Sequence, residues 1–576
     1  MKLADATPSQ QKAITTTDKT VVVVAGPGSG KTATTVARIV HQIDNCGILP
    51  RSIVAITFTN AAARELEHRL TAARPYDDGR SNKPQPPPLG YIGTLHSFAL
   101  RMLKEYGEAQ GYGQRITIIS PESATAMLEA KAAQLGCKMK IEDLLRLKAD
   151  VAQLPSRLSV PQTVIASYYQ DLKEAGIVDF DNLLRAFLEM IENDDTAATA
   201  IEDRFSQLYV DEVQDSAEID WDIYDSLNIA QKFYVGDPDQ AIYSFRGGRV
   251  EILLTKTQNP TITTIALEDN FRSHAEICNA AQRLITNNKD RFQKATISAK
   301  GVGGDVIKAH AANEGEESAI VIRQIQHLDA GMSIAILCRT NAIAYSYRQQ
   351  LRANGLPVAE PKRSTMPKDW PMTRALVELL GKPDNDTLAR FFLTAKFTAQ
   401  GHAPAEIKKM IASIDRQAAV AMQSINKHML LLPAHMVAAG VLGACITQGV
   451  SAESRMLLNE VVQQVGSEAT PLELALAMNS VRDIYEKPAT DLIQCLTIHG
   501  AKGLEFDAVF LVGFEDEQIP GRAKTTDALA EERRLAYVAI TRARKFLMIT
   551  DAGTRTTPWG AIGQNTPSRF IKEAGL

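Results

Sequence analysis

Residues Val21 to Thr32 read VVVVAGPGSGKT, four consecutive valines running into a glycine-rich turn that ends in Lys-Thr. A short run made only of β-branched residues suits a strand buried on both faces of a parallel sheet. Gly26, Gly28 and Gly30 let the backbone take positive-φ turns that aim successive N–H groups at an anion, with Ala25, Pro27 and Ser29 completing the loop. Lys31 and Thr32 then open a helix, whose N-terminus attracts phosphate. The Lys31 ammonium is placed to reach the β and γ phosphates of a nucleotide, and the Thr32 hydroxyl to ligate Mg²⁺. The strict pattern has glycine five residues before Gly30, and this chain has Ala25 there. A glycine-rich turn before an ordinary helix is the alternative, and the coincidence of strand, turn and Lys-Thr argues against it.

Upstream, TPSQQKAI (Thr7 to Ile14) reads as a helix capped by Thr7 with Pro8 at its first position. Its Gln10 carries an amide able both to donate to and accept from an adenine edge. Downstream, SIVAITFTN (Ser52 to Asn60) is a second apolar strand followed by an Ala/Glu/Arg-rich helix, which repeats the strand-helix unit of a parallel sheet. SNKPQPPPLG (81–90) is too proline-rich for helix or central strand and reads as a surface loop. From about Ser120 to Asp203 helix follows helix, an inserted subdomain in which Ile165, Tyr168, Tyr169 and Leu172 read as core.

At 576 residues, 45% hydrophobic and 23% charged, the composition is that of an ordinary globular protein of several domains. No stretch approaches a membrane span and the N-terminus lacks a secretory signal pattern, so no membrane partner is expected and the cytoplasm is the default location. Six widely separated cysteines argue against a metal cluster or disulfide framework and read as buried thiols. The net charge of -4 neither suggests nor excludes nucleic acid, since a local basic groove suffices to hold a phosphate backbone.

At Gln207 the strand pattern returns as QLYVDEVQDS. In P-loop enzymes a strand end bearing two carboxylates handles Mg²⁺ and the attacking water, so Asp211 reads as a metal ligand and Glu212 as a general base. The next strand, KFYVGDPDQAIYSFRGG, leads to Gln240, a candidate γ-phosphate sensor. Tyr243, Phe245 and Arg246 follow, interleaved as in a stacking platform for unpaired bases.

GPGSGKT, ITFTNAAARELEHR, GTLHSFA, VDEVQDS, VGDPDQAIYSFRGG, LEDNFRS, AILCRTN, LTIHGAKGLEFDAVFLVG and EERRLAYVAITRAR occur here in the order and approximate spacing of the UvrD/Rep/PcrA helicases of superfamily one. The resemblance runs from Gln10 to Arg544. It implies an α/β protein of two RecA-like P-loop domains, parallel sheets flanked by helices, with ATP in the cleft between them and single-stranded DNA across the top. Each domain carries an inserted, mainly helical subdomain. The implied division is 1–100 with 204–269 for the first RecA-like domain, 101–203 for its insert, 270–381 with 489–576 for the second, and 382–488 for a short second insert.

Carried over residue by residue, the resemblance gives ATP and Mg²⁺ as cofactors. Lys31, Thr32, Asp211, Glu212 and Gln240 come from the first domain, with Gln10 recognising adenine. From the second come Phe271, stacking on adenine, Arg272 and Arg542, reaching the γ-phosphate, and Glu505, binding the ribose hydroxyl. Arginine suits that task because its planar fork pairs two phosphate oxygens and stays charged. For DNA the matching positions are Phe58, Asn60, Thr94, His96, Tyr243, Phe245, Arg246, His499 and Lys502. Phe245 departs from the usual tryptophan, Phe271 from the usual tyrosine and Val213 from the usual aromatic.

The implied activity is an ATP-dependent single-stranded DNA translocase and 3′ to 5′ helicase acting at single/double-strand junctions in repair, replication or recombination. Two other classes compete: a nucleic-acid scaffold with a degenerate ATPase, and a P-loop NTPase of another kind. The first would need lost catalytic residues, and the second would lack Tyr243 to Arg246 and the motifs after Ile334. Every residue assigned to ATP or DNA lies outside 382–488, so the second insert reads as separable from the motor.

Overall fold

A computed structural model of the chain describes residues 3–75, 87–112, 116–150, 159–244, 247–359, 369–381, 450–465, 492–556 and 562–576, with scattered positions between 392 and 448 and between 474 and 478. The valine run forms the strand Thr20–Ala25, parallel to Gln231–Gly236 on one side and to Thr263–Leu267 on the other. Val22 and Val24 join one apolar core, whereas Val21, Val23 and Ala25 join a second on the opposite face. Both faces are therefore dry, which is why the sequence does not alternate.

The whole first sheet is parallel, ordered Tyr91–Thr94, Ile53–Thr57, Gln207–Val210, Gln231–Gly236, Thr20–Ala25, Thr263–Leu267. The carboxyl ends of its three inner neighbours carry the Gly26–Gly30 turn, Asp211-Glu212 and Asp237–Gln240. Parallel α/β sheets bind ligands at that edge. A second parallel sheet runs Asp305–Ala311, Ala543–Ala552, Phe506–Leu511, Ile334–Cys338, Gln494–Thr497. Its three inner strands too are buried on both faces, with Leu337, Val509 and Ile549 in one core and Ile336, Phe510 and Met548 in the other, whereas the edge strand Asp305–Ala311 is largely exposed. This is the expected α/β architecture.

Between the sheets, Asp269–Asn270 pairs, among the described residues, only with Ile297–Ser298, beside the glycine-rich turn. Helix Ala275–Ile285 already packs into a core of the second sheet. The chain thus changes partners within a few residues of Asn270.

The described residues of 121–204 form five helices, preceded and interrupted by the two-residue parallel strands Thr117–Ile118 and Ile177–Val178. Ile165, Tyr168 and Leu172 are buried as expected, and Tyr169 packs against the same cluster. Most of 382–488 lies outside the described residues. Of those that are described, Phe392, Val441, Cys445, Leu458, Val461 and Leu474 belong, with helix Trp370–Gly381, to one apolar core that also contains Leu128, Ile165 and Leu172. At this seam Ser123 donates to buried Glu378 at 3.0 Å. The described residues of 382–478 thus share a core with 119–177, a contact between two segments outside both sheets.

The cysteines are free thiols, four of them buried, Cys137 partly so and Cys46 exposed, the last against expectation. Among the described residues no helix is long and apolar enough to cross a membrane.

Candidate functional site

Gly28 and Gly30 take φ of 68° and 79°, the left-handed region that only glycine enters freely. A Cβ on Gly28 would lie 2.6 Å from Arg272 Cβ, so close approach of the second domain's segment also requires glycine there. Two bonds dock that segment on the turn: Asn270 donates from Nδ2 to Pro27 O at 2.7 Å, and Phe271 N donates to Gly28 O at 2.9 Å. The Phe271 ring stays 45% exposed. Ser29 Oγ donates to Gly26 O at 2.7 Å, and Lys31 Nζ to Ala25 O at 3.3 Å. Lys31 and Thr32 begin the helix Lys31–Asp44, as the sequence indicates.

Gln10 is buried, and its amide is engaged at both ends. Oε1 accepts from Thr7 N at 3.0 Å in a capping box, and Nε2 donates to Ser29 O at 3.0 Å. It braces the phosphate loop against the first helix, an arrangement the adenine reading did not foresee.

Asp211 and Glu212 follow the strand Gln207–Val210 directly. Glu212 has φ of 55°, the one positive value at a non-glycine among the described residues, and such strain persists only where neighbours hold it. Here Gln214 Nε2 donates to Glu212 Oε2 at 2.6 Å. Burial and then the adjacent Glu212 charge push Asp211 up to about 7, with Lys31 opposing. Burial acts to raise Glu212 too, but Lys31, Lys502, the Gln214 hydrogen bond and Arg542 outweigh it and hold that carboxyl below its ordinary value. The pair therefore splits, leaving Glu212 ionised at neutral pH. Where the resemblance leads one to expect an aromatic, Val213 is buried in the core, and a Cβ on Gly236 would come 2.9 Å from its Cγ1.

Across the cleft, Arg542 is buried at the end of helix Thr526–Ile540. It donates to Val538 O at 2.9 Å, to Leu504 O at 3.1 Å and, from Nη2, to Gln240 Oε1 at 3.3 Å. Burial and then the charge of Arg272 push its guanidinium down to about 9. Arg272 and Arg544 both grip Glu505. Burial opposes ionisation of Glu505, yet the two arginines carry its carboxyl down to about 2. Glu505, expected at the ribose, is thus tied between two arginines, and Arg544 is a member of the cluster the sequence reading missed.

Two more cations went unnoticed because their partners are distant in sequence. Lys294 is fully buried against Asp237 at 2.7 Å and also contacts Asp239, and Arg291 pairs with Asp239 at 2.7 Å. The GDPDQ acids were the available signal: a buried strand end with two carboxylates needs compensating charge.

On the expected DNA side, Phe58 and Tyr243 stack with centroids 5.5 Å apart at 14°, and Phe58 is 37% exposed. Asn60 opens the helix Asn60–Ala73 next to it. Thr94 caps helix Leu95–Tyr106 by accepting from Ser97 N. His96 stacks on Phe180 at 3.8 Å, and burial pushes its imidazole down to about 4, leaving it neutral. His499 lines a cavity of about 370 Å³ with Ile242, Arg339, Glu531, Glu532 and Leu535. Lys502 turns inward to Asp215 at 2.5 Å. Phe245 and Arg246 lie outside the described residues. The structure thus brings Lys31, Glu212, Gln240, Arg272 and Arg542 into one cleft, with Phe58 and Tyr243 beside it.

Residues 6–261 match the UvrD/REP helicase N-terminal domain, and residues 265–363 with 447–553 match the UvrD-like helicase C-terminal domain. The ATP-dependent DNA helicase PcrA of Leuconostoc citreum is 27% identical, covering 98% of this chain and 84% of its own. Those of Staphylococcus epidermidis and Staphylococcus aureus are 28% identical over 98% of this chain and 85% of theirs. With the P-loop, the acidic strand end and the opposing arginines in place, the chain belongs to the UvrD/Rep family of ATP-dependent DNA helicases.

Proposed function

We propose that this chain is an ATP-driven single-stranded DNA translocase that moves 3′ to 5′ and unwinds duplexes from single/double-strand junctions, acting in the cytoplasm in repair, replication or recombination. The observation that carries the reading is the bond from Arg542 to Gln240, by which one sheet's arginine meets the other sheet's candidate phosphate sensor in a cleft lined by Lys31 and Glu212. In such a cleft closure completes the site, so hydrolysis and the relative motion of two lobes are linked.

The roles proposed follow that geometry. Lys31 and the loop N–H groups hold phosphates, Glu212 orients water and accepts its proton, and Gln240 reports the terminal phosphate. Arg272 and Arg542 meet the charge that develops on transfer, Arg272 after exchanging Glu505 for phosphate. Phe271 is offered to the base. Thr32 and Asp211 would hold Mg²⁺: both are hard oxygen donors, and Asp211 commits Oδ1 to Glu212 N at 2.9 Å. The ion would supply charge neutralisation between the β and γ phosphates. The two sheets with their helices are proposed as RecA-like domains 1–100/204–269 and 270–381/489–576, carrying inserts 101–203 and 382–488.

The test is strand displacement on duplexes with a 3′ or a 5′ single-stranded tail, with ATP and either Mg²⁺ or EDTA. Unwinding confined to the 3′-tailed duplex and to Mg²⁺ is expected. Equal action on both tails overturns the polarity, and activity in EDTA overturns the metal assignment.

A further inference from the structure

The resemblance places Lys502 against the DNA strand, yet its side chain is only 11% exposed and its ammonium is committed inward, 2.5 Å from Asp215 Oδ2 and 3.0 Å from Gln240 O. The same ammonium lies 4.6 Å from the centroid of the Tyr243 ring, on which Phe58 stacks. On the far side of Asp215, a single amide ties the acids together. Gln214 Nε2 donates to Glu212 Oε2 at 2.6 Å and to Asp215 Oδ2 at 3.4 Å, while its Oε1 accepts from Asp237 N at 2.9 Å. A continuous line of contacts therefore runs from a half-exposed aromatic pair to the candidate general base. It crosses from one sheet to the other at Lys502.

We propose that Lys502 is a positioning residue that couples the Phe58–Tyr243 aromatic face to Glu212 through Asp215 and Gln214, and is not a phosphate contact of the strand. The inference rests on the reading of this chain as a DNA-stimulated ATPase. Its physical basis is competition for one ammonium. Attraction to the Tyr243 ring face and the bond to Asp215 pull on the same group, so a base that engages Phe58 or Tyr243 and shifts the ring alters how Lys502 sits on Asp215. Asp215 is buried, so without the ammonium its charge is uncompensated close to Glu212. Gln214, shared by both carboxylates, then cannot hold Glu212 in its strained conformation unchanged.

The experiment titrates the full chain with oligo(dT) while following ATP hydrolysis, for the wild type, Lys502→Met, Asp215→Asn and the double variant. Lys502→Met is expected to lower the DNA-stimulated kcat about tenfold or more while the half-saturating oligo(dT) concentration moves less than about threefold. Asp215→Asn should do the same, and the double variant should be within about twofold of either single, because residues acting in one line are not additive. The opposite split overturns the proposal: kcat retained, half-saturation raised about tenfold and the salt slope of binding reduced by about one, as for a lost phosphate contact. Additive single effects overturn it as well. Should Asp215→Asn not fold, the split in Lys502→Met decides alone. A wild type whose ATPase ignores oligo(dT) overturns the underlying reading of function, whereas a stimulated wild type with an equally stimulated Lys502→Met overturns this inference only.

Discussion

Arg542 and Gln240 meet side chain to side chain at 3.3 Å although they stand on different sheets and 302 residues apart. Arg542 is otherwise anchored by backbone carbonyls and the Thr541 hydroxyl of its own lobe, so its guanidinium is aimed before any nucleotide arrives. Pre-aimed charge acts mainly on the transition state. Arg542→Ala is therefore expected to lower kcat by roughly 10³ or more while ATP still binds. Lys31→Ala should lose binding as well. Equilibrium titration with a fluorescent ATP analogue separates the two, and equal collapse of binding in both variants would refute the role given to Arg542.

Phe58 offers half of a stacked pair to solvent, so its truncation removes a platform without opening a core. Phe58→Ala should weaken oligo(dT) binding by about 1–3 kcal/mol while the melting temperature stays within a few degrees of wild type. Fluorescence anisotropy and a thermal melt give the answer. A large fall in melting temperature with unchanged anisotropy would make Phe58 a packing residue.

His96 is kept neutral by burial, its imidazole carried from 6.5 to about 4. A depressed histidine contributes stability that is complete above the unfolded value and is lost as pH falls from about 6.5 toward 4. Between pH 7 and 5 the loss should be on the order of 1–2 kcal/mol. Buried carboxylates titrate in the same window, so the observable is the difference between wild type and His96→Phe in urea unfolding at the two pH values. A difference that does not change with pH counts against the neutral imidazole.

Lys294 neutralises Asp237 and Asp239 with no exposure to water. Lys294→Met leaves two buried carboxylates, of which Asp239 keeps its pair with Arg291, and breaking one partner of a buried pair costs about 3–5 kcal/mol. A substantial drop in melting temperature is expected, with less of a drop when Asp237→Asn is added. If the double variant melts lower than Lys294→Met, the penalty is not electrostatic.

The seam between the inserts predicts an effect at a distance. Ile165→Ala, in the first insert, should cost about 2–5 kcal/mol locally. It should also raise the rate at which protease cuts within 382–488. Excising 382–488 should expose the apolar face around Leu128 and Ile165 and increase binding of a hydrophobic dye. Unchanged cleavage and dye binding would mean that the seam does not persist in solution.

What could be read from the sequence was what short range determines. The valine run, the glycines of the turn and the acids after Val210 announce themselves because strand, turn and site are contiguous there. Asn270, Phe271 and Arg272 are singled out by resemblance alone, and the docking of the first two on Pro27 and Gly28 is a long-range contact that no local pattern announces. The roles of Gln10, Glu505 and Lys502 were less legible, since each depends on which partner from a remote segment claims the side chain. Lys294 and Asp215 were invisible for the same reason: a buried charge looks like a surface charge until its counterion is located. The seam between the inserts could not be seen either, because helical periodicity shows that a face is apolar but not what covers it.

That seam changes the mechanics of the molecule. Two lobes joined at a single cleft can swing like a hinge, but lobes also fastened at a second, remote point form a closed frame. A closed frame resists wide opening: it flexes within the elasticity of its struts or it breaks at the weaker joint. Each large side chain pulled from such a core forfeits about 1.5–3 kcal/mol of burial, and the bond from Ser123 to buried Glu378 would be lost with it. Wide opening would therefore come as a rare, discrete rupture, and the small strokes of each hydrolysis cycle would be made with the frame intact.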